Sequence, residues 1–119
     1  MASDHRVNRV RHLLHRELSA IVMQLKDPRT QMVTVVDAQI SKDLRSAKMF
    51  VSLVGREAEK KAAMVALQNA LGFIRREVAK RVQLRYTPTI DVAYDDTAER
   101  AAHITALIDS VVKDEDREE

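Results

Sequence analysis

The sequence has no cysteine and no tryptophan, and only two glycines, two prolines, two phenylalanines and two tyrosines among its 119 residues. Without cysteine there are no disulfides and no thiolate metal sites, which fits a reducing compartment. Two glycines cannot build a Gly-rich phosphate loop. Phe50, Phe73, Tyr86 and Tyr94 are too few for a single-strand reader built on a stacking platform, and no RNP-type motif is present. No apolar run approaches the length that spans a bilayer. The charged stretch from Met1 to Arg16 lacks the apolar segment of a signal peptide. The expectation is a soluble cytoplasmic protein with one domain over residues 4–112 and a charged, disordered tail over 113–119.

Catalytic constellations are missing as well. His12 and His15 have a spacing that metal ligands on a helix can show. The helical wheel sends them to different parts of the surface, and no third ligand is near, so solvated surface histidines are expected and no metal. The adjacent carboxylates Asp95 and Asp96 suit a turn or a helix cap better than an acid–base pair. Ser41 and Ser52 have no neighbouring base in sequence. No enzyme activity, cofactor or small-molecule substrate is expected, and a binding module is.

Charge is present, but unevenly. Residues 1–90 carry 17 Lys and Arg against 8 Asp and Glu, net +9, whereas residues 91–119 carry 3 against 10, net −7, and the whole chain is +2. A basic body with an acidic end points to a polyanionic partner.

Hydrophobic spacing gives the elements. Val7, Val10, Leu14, Leu18, Ile21 and Leu25 form one helical face that Asp27-Pro28 terminates. Arg9, His12 and Arg16 form a positive stripe opposite. Met32 to Ile40 and Ala47 to Val54 read as strands of a hairpin joined by Ser41 to Arg45. Ala63, Leu67, Leu71, Ile74, Val78 and Val82 mark a long helix from about Glu57 to Leu84, with Gly72 in its middle. Thr87-Pro88 closes it. Thr89 to Tyr94 reads as a third strand, and Ala101, Ile104, Leu107, Ile108 and Val111 suggest a last helix. The expected fold is α+β, a two-layer sandwich with helices on one face of a three-stranded sheet.

The richest basic cluster is Arg75, Arg76, Lys80, Arg81 and Arg85, with Glu77 the one acid among them. Asn69, Phe73, Arg76 and Lys80 share the exposed side of the long helix, which suits phosphate contacts. Few acids lie close enough in sequence to pair with these arginines. A kink at Gly72 would rotate Phe73 inward, so core packing is expected for it.

Five short motifs in order carry a family resemblance: Asp27-Pro28-Arg29; Ser41-Lys42-Asp43-Leu44-Arg45 with Ala47-Lys48; Gly72-Phe73-Ile74-Arg75-Arg76-Glu77; Leu84-Arg85-Tyr86-Thr87-Pro88; and Asp95-Asp96-Thr97. From about Arg6 to Ile108 the sequence resembles ribosome-binding factor A, a family of bacterial assembly factors of the small ribosomal subunit. The resemblance implies a type II KH-like fold, α-β-β-α(kink)α-β, here with an additional C-terminal helix. RNA-binding KH domains normally carry a GxxG loop between the central helices. This chain has Asn69-Ala70-Leu71-Gly72 there, and the resemblance implies a structural kink at Ala70-Leu71-Gly72 instead.

The implied role is non-catalytic. The protein would bind the free or immature 30S subunit and its 16S rRNA, support 16S rRNA processing and late maturation, and matter most in the cold. Arg45 and Lys48 of the hairpin motif join Arg9, His12, Arg16, Asn69, Arg75, Arg76, Lys80, Arg81 and Arg85 as candidate RNA-binding residues of a monomer. A general nucleic-acid-binding KH-like module and a protein adaptor with a basic face are the alternatives.

Overall fold

The structure, a computed structural model, describes residues 3–95. The expected last helix, Asp96, Thr97 and the tail lie outside the described residues. Helix α1 spans Asp4–Met23. Its start is set by Ser3, whose Oγ accepts from the Arg6 N–H at 3.1 Å, and by Asp4 in the first turn, where a negative charge meets the positive end of the helix. Val10, Leu14, Leu18, Ile21 and Val22 are its buried positions. His15 departs from the expectation of a solvated histidine: it is half-buried, with Nε2 3.0 Å from the Val35 carbonyl oxygen.

The chain then makes a single 3-10 turn, Pro28–Thr30. The motif Asp27-Pro28-Arg29 builds it. Asp27 accepts from the Arg29 N–H at 2.9 Å and from its guanidinium at 2.7 Å, and buried Thr30 donates to the Asp27 carbonyl at 2.8 Å. The Arg29 hydrogen bond lowers the Asp27 carboxyl below its ordinary range.

Strands β1, Thr34–Ile40, and β2, Ser46–Ser52, pair antiparallel, with a bulge between Val35 and Asp37. The bulge bends β1, an edge strand of the sheet, and spoils it as a template for another chain. Strand β3, Thr89–Tyr94, pairs parallel to β2 in register Ala47↔Ile90 and Met49↔Val92. Strand order is β1-β2-β3. Ala47, Met49, Val51, Ile90 and Val92 are buried with the apolar positions of both helices, so one sheet face carries the core. Gln39, Lys48, Phe50 and Asp91 lie together in a shallow groove. The strand alternation places them on the opposite face.

A parallel pair needs a long crossover, and α2, Glu57–Arg81, supplies it. The Glu59 carboxylate accepts from the Arg56 N–H at its start at 3.2 Å. Lys80 and Arg81 lie in its last turn, where positive charge opposes the helix dipole. The chain does not leave the helix at Ala70-Leu71-Gly72: α2 is one helix of 25 residues. Glycine costs about 1 kcal/mol relative to alanine in a helix. The buried Ala66, Leu67, Ile74 and Val78 on either side outweigh it. Phe73 stays 38% exposed rather than packing in the core.

Candidate nucleic-acid interface

Parallel pairing of β3 with β2 has a geometric consequence. The start of β3 lies beside the start of β2, and hence beside the β1–β2 turn. The Thr89 N–H donates to the Arg45 carbonyl at 2.9 Å. The segment from Val82 to Pro88 therefore ends at the same end of the molecule as the turn. The first half of α1 points there too, because Arg11 reaches Asp37 at 3.4 Å while His15, one turn on, meets Val35.

Two adjoining surface depressions result. Arg6, Arg9, His12 and Arg16 of α1 line one with Val82, Gln83 and Leu84. Arg6 and Leu84 continue into the second, with Asp43, Leu44, Arg45, Arg85 and Tyr86. The two form one basic groove along α1 and across the loops. Arg9, His12, Arg16, Arg45 and Arg85, scattered in sequence, are brought together here.

The β1–β2 turn is rigidly made. Ser41 Oγ donates to Asp43 Oδ1 at 2.6 Å, and the same oxygen accepts from the Arg45 N–H at 3.1 Å. The Ser46 N–H donates to Ser41 Oγ at 3.0 Å. Leu44 has φ +61°, in the left-handed region, and packs against the core. The Ser41 hydroxyl, then the Arg45 N–H, hold the Asp43 carboxyl below its ordinary value of 3.8. This turn fixes Arg45, whose guanidinium lies 4.8 Å from the centre of the Tyr86 ring; that of Arg85 lies at 5.5 Å. Tyr86 is 52% exposed.

The other expected residues lie elsewhere. Arg76, Lys80 and Asn69 are exposed on α2. Arg75 donates to the Thr87 carbonyl at 3.3 Å and steadies the loop that carries Tyr86. Arg81 is a tether: its guanidinium donates to Gln24 Oε1 at 2.9 Å and pairs with Glu77 at 3.6 Å. Lys80 pairs with the same Glu77 at 3.1 Å. Glu77, the one acid expected among these cations, thus serves both from the i−3 and i−4 positions. Lys48 lies on the open sheet face, away from the groove.

Two groove residues were not anticipated. Arg6 continues the stripe three residues before Arg9, so the helical wheel could have found it. Tyr86 lay within the motif Leu84-Arg85-Tyr86-Thr87-Pro88, but nothing in that motif marked it as a contact. Among the described residues no cluster of three His, Asp or Glu could hold a metal ion, and no helix is long and apolar enough to cross a membrane.

The family model of ribosome-binding factor A matches residues 6–108. Ribosome-binding factor A of Acetivibrio thermocellus is 46% identical over 105 residues, 87% of this chain and 85% of that one. The protein of that name from Clostridium tetani is 41% identical over 118 residues, 98% of each chain. The crystal structure of ribosome-binding factor A from Thermus thermophilus superposes with a TM-score of 0.67 at 26% identity, covering 74% of this chain and 93% of that one. A homology model of the Thermus thermophilus protein, fitted into a cryo-EM map of its complex with the 30S subunit, gives 0.59 at 28% identity, covering 68% and 86%. A family match over most of the sequence and a shared fold agree: this chain belongs to the ribosome-binding factor A family.

Proposed function

We propose that the protein is an assembly factor of the small ribosomal subunit, binding the free or immature 30S particle through its 16S rRNA. The observation that carries this reading is the convergence of Arg6, Arg9, His12, Arg16, Arg45 and Arg85 on one groove of a family member. The relative fitted into a 30S complex supports it. Arginine forks suit phosphate oxygens, and binding through several of them releases counterions and is salt-sensitive. Arg76, Lys80 and Asn69 extend the contact along α2. Arg75 and Arg81 act by holding the loop and the helix end in place. The role is non-catalytic: the protein acts in the cytoplasm as a monomer, supports 16S rRNA processing and late maturation, and matters most in the cold, where misfolded RNA rearranges slowly.

Cosedimentation tests this reading. The protein should travel with free small subunits and little with whole ribosomes. Equal association with both, or with neither, would overturn it.

A further inference from the structure

Most of the groove is lined by cations suited to phosphates, and Tyr86 adds an aromatic ring to it. Its hydroxyl can donate to a phosphate like the neighbouring groups, but its ring face can stack only on a base outside a duplex, because the base faces of a duplex are already stacked inside it. Burial does not explain the ring, since it is 52% exposed. Two guanidiniums lie over it, at 4.8 Å for Arg45 and 5.5 Å for Arg85. Both are anchored through their surroundings: Arg45 by the Ser41–Asp43 turn, and the loop of Arg85 by the bond from Arg75 to Thr87. An exposed ring among cations is an arrangement that stacks one base while its phosphates are neutralised.

We propose that the cavity formed by Arg6, Leu44, Arg45, Leu84, Arg85 and Tyr86 takes a single unpaired nucleotide, its base stacked on Tyr86 and its phosphates on the surrounding arginines. The cavity measures about 400 Å³, near the lower end of the roughly 300–1,000 Å³ typical of ligand pockets, so it accommodates one base and not a run. Leu44 and Leu84 give it an apolar wall. The Asp43 carboxylate lies in the same cavity, where its Oδ1 accepts from the Ser41 hydroxyl and the Arg45 N–H. Its negative charge turns phosphates toward the arginines. The site therefore distinguishes a bulged or flipped nucleotide from continuous duplex, whereas Arg9 and Arg16 do not. This inference rests on the RNA-binding reading above and specifies which part of the RNA is gripped.

The chain has two tyrosines and no tryptophan. In a full-length Tyr94→Phe background, ultraviolet emission therefore reports Tyr86 alone. The probes are a blunt RNA duplex and the same duplex carrying one bulged nucleotide. The bulged RNA should bind more tightly and quench the tyrosine. Tyr86→Leu should weaken bulged binding by roughly 5- to 150-fold, the size of one lost base–aromatic stack, and leave blunt binding unchanged. Tyr86→Phe, made with Tyr94 intact, should keep the preference for the bulge. Arg9→Glu with Arg16→Glu should weaken both RNAs equally. No preference for the bulge, or a Tyr86→Leu effect that is equal on both RNAs or absent, would overturn the nucleotide site. Small-subunit cosedimentation is scored separately: its loss with bulge preference intact would overturn only the assembly role.

Discussion

A Cβ added to Gly72 would meet one atom outside its own turn, Arg76 Nη1 at 3.5 Å, an ordinary van der Waals contact. Glycine there costs helix propensity without needing a special backbone angle, so Gly72→Ala should stabilise the protein by about 0.5–1 kcal/mol. A higher urea midpoint at unchanged slope checks this; a lower one would mean that α2 needs glycine's freedom here. Ile74, two residues on, is fully buried. Ile74→Ala should cost about 2–5 kcal/mol by leaving a cavity between α2 and the sheet, visible in the same unfolding curves. Side-chain environment is where the sequence was least legible. Periodicity placed Ile74 inside and Arg76 outside correctly, since both follow from helical geometry alone. It misjudged Phe73, which is 38% exposed, because helical spacing alone does not say whether a bend at Gly72 turns that ring toward the core. It missed the sharing of Glu77 by Lys80 and Arg81, which depends on rotamers.

The elements were far more legible than their pairing. Apolar spacing found α1, α2 and all three strands to within a few residues, and located β3 at Thr89–Tyr94. What spacing cannot carry is that β3 runs parallel to β2, because one alternation pattern serves either direction. That single fact brings the β1–β2 turn to the loop before β3 and creates the second half of the groove. Ser41-Lys42-Asp43-Leu44-Arg45 was legible as a hairpin connection, but its internal bonding was not. The Asp43 carboxyl is held below its ordinary 3.8 by hydrogen bonds that favour the charged form. Its contribution to the turn is complete above the unfolded value and disappears as pH falls through the lower folded value. An NMR titration should therefore show the Arg45 amide shifting with a midpoint below 3.8. Asp43→Ala should abolish that transition and raise the exchange rate of the same amide at neutral pH. A midpoint at or above the ordinary value would mean that the turn is not held by this carboxylate.

Across the whole molecule, the net charge of +2 conceals a body of +9 over residues 1–90, and the fold concentrates part of that excess in one groove. Splitting the chain made the polyanion partner legible. The helical wheel added Arg9, His12 and Arg16, the basic cluster added Arg85, and the hairpin motif of the resemblance added Arg45. Their convergence depends on tertiary contacts between residues about 40 to 80 apart, which no local pattern encodes. Salt dependence measures the result. Each phosphate contact contributes about 0.7–0.9 to the slope of log affinity against log salt concentration. Arg9→Glu with Arg16→Glu removes two groove cations that make no long-range ion pair among the described residues. The slope for binding free small subunits should flatten by about 1.4–1.8. Arg76→Glu with Lys80→Glu should flatten it by only about half as much, because Lys80 is already committed to Glu77 at 3.1 Å. Circular dichroism of each variant separates lost contacts from lost fold, which these exposed positions should not disturb. If the α2 pair flattens the slope more than the α1 pair, the rRNA lies along α2, and the groove between α1 and the loops is at most its margin.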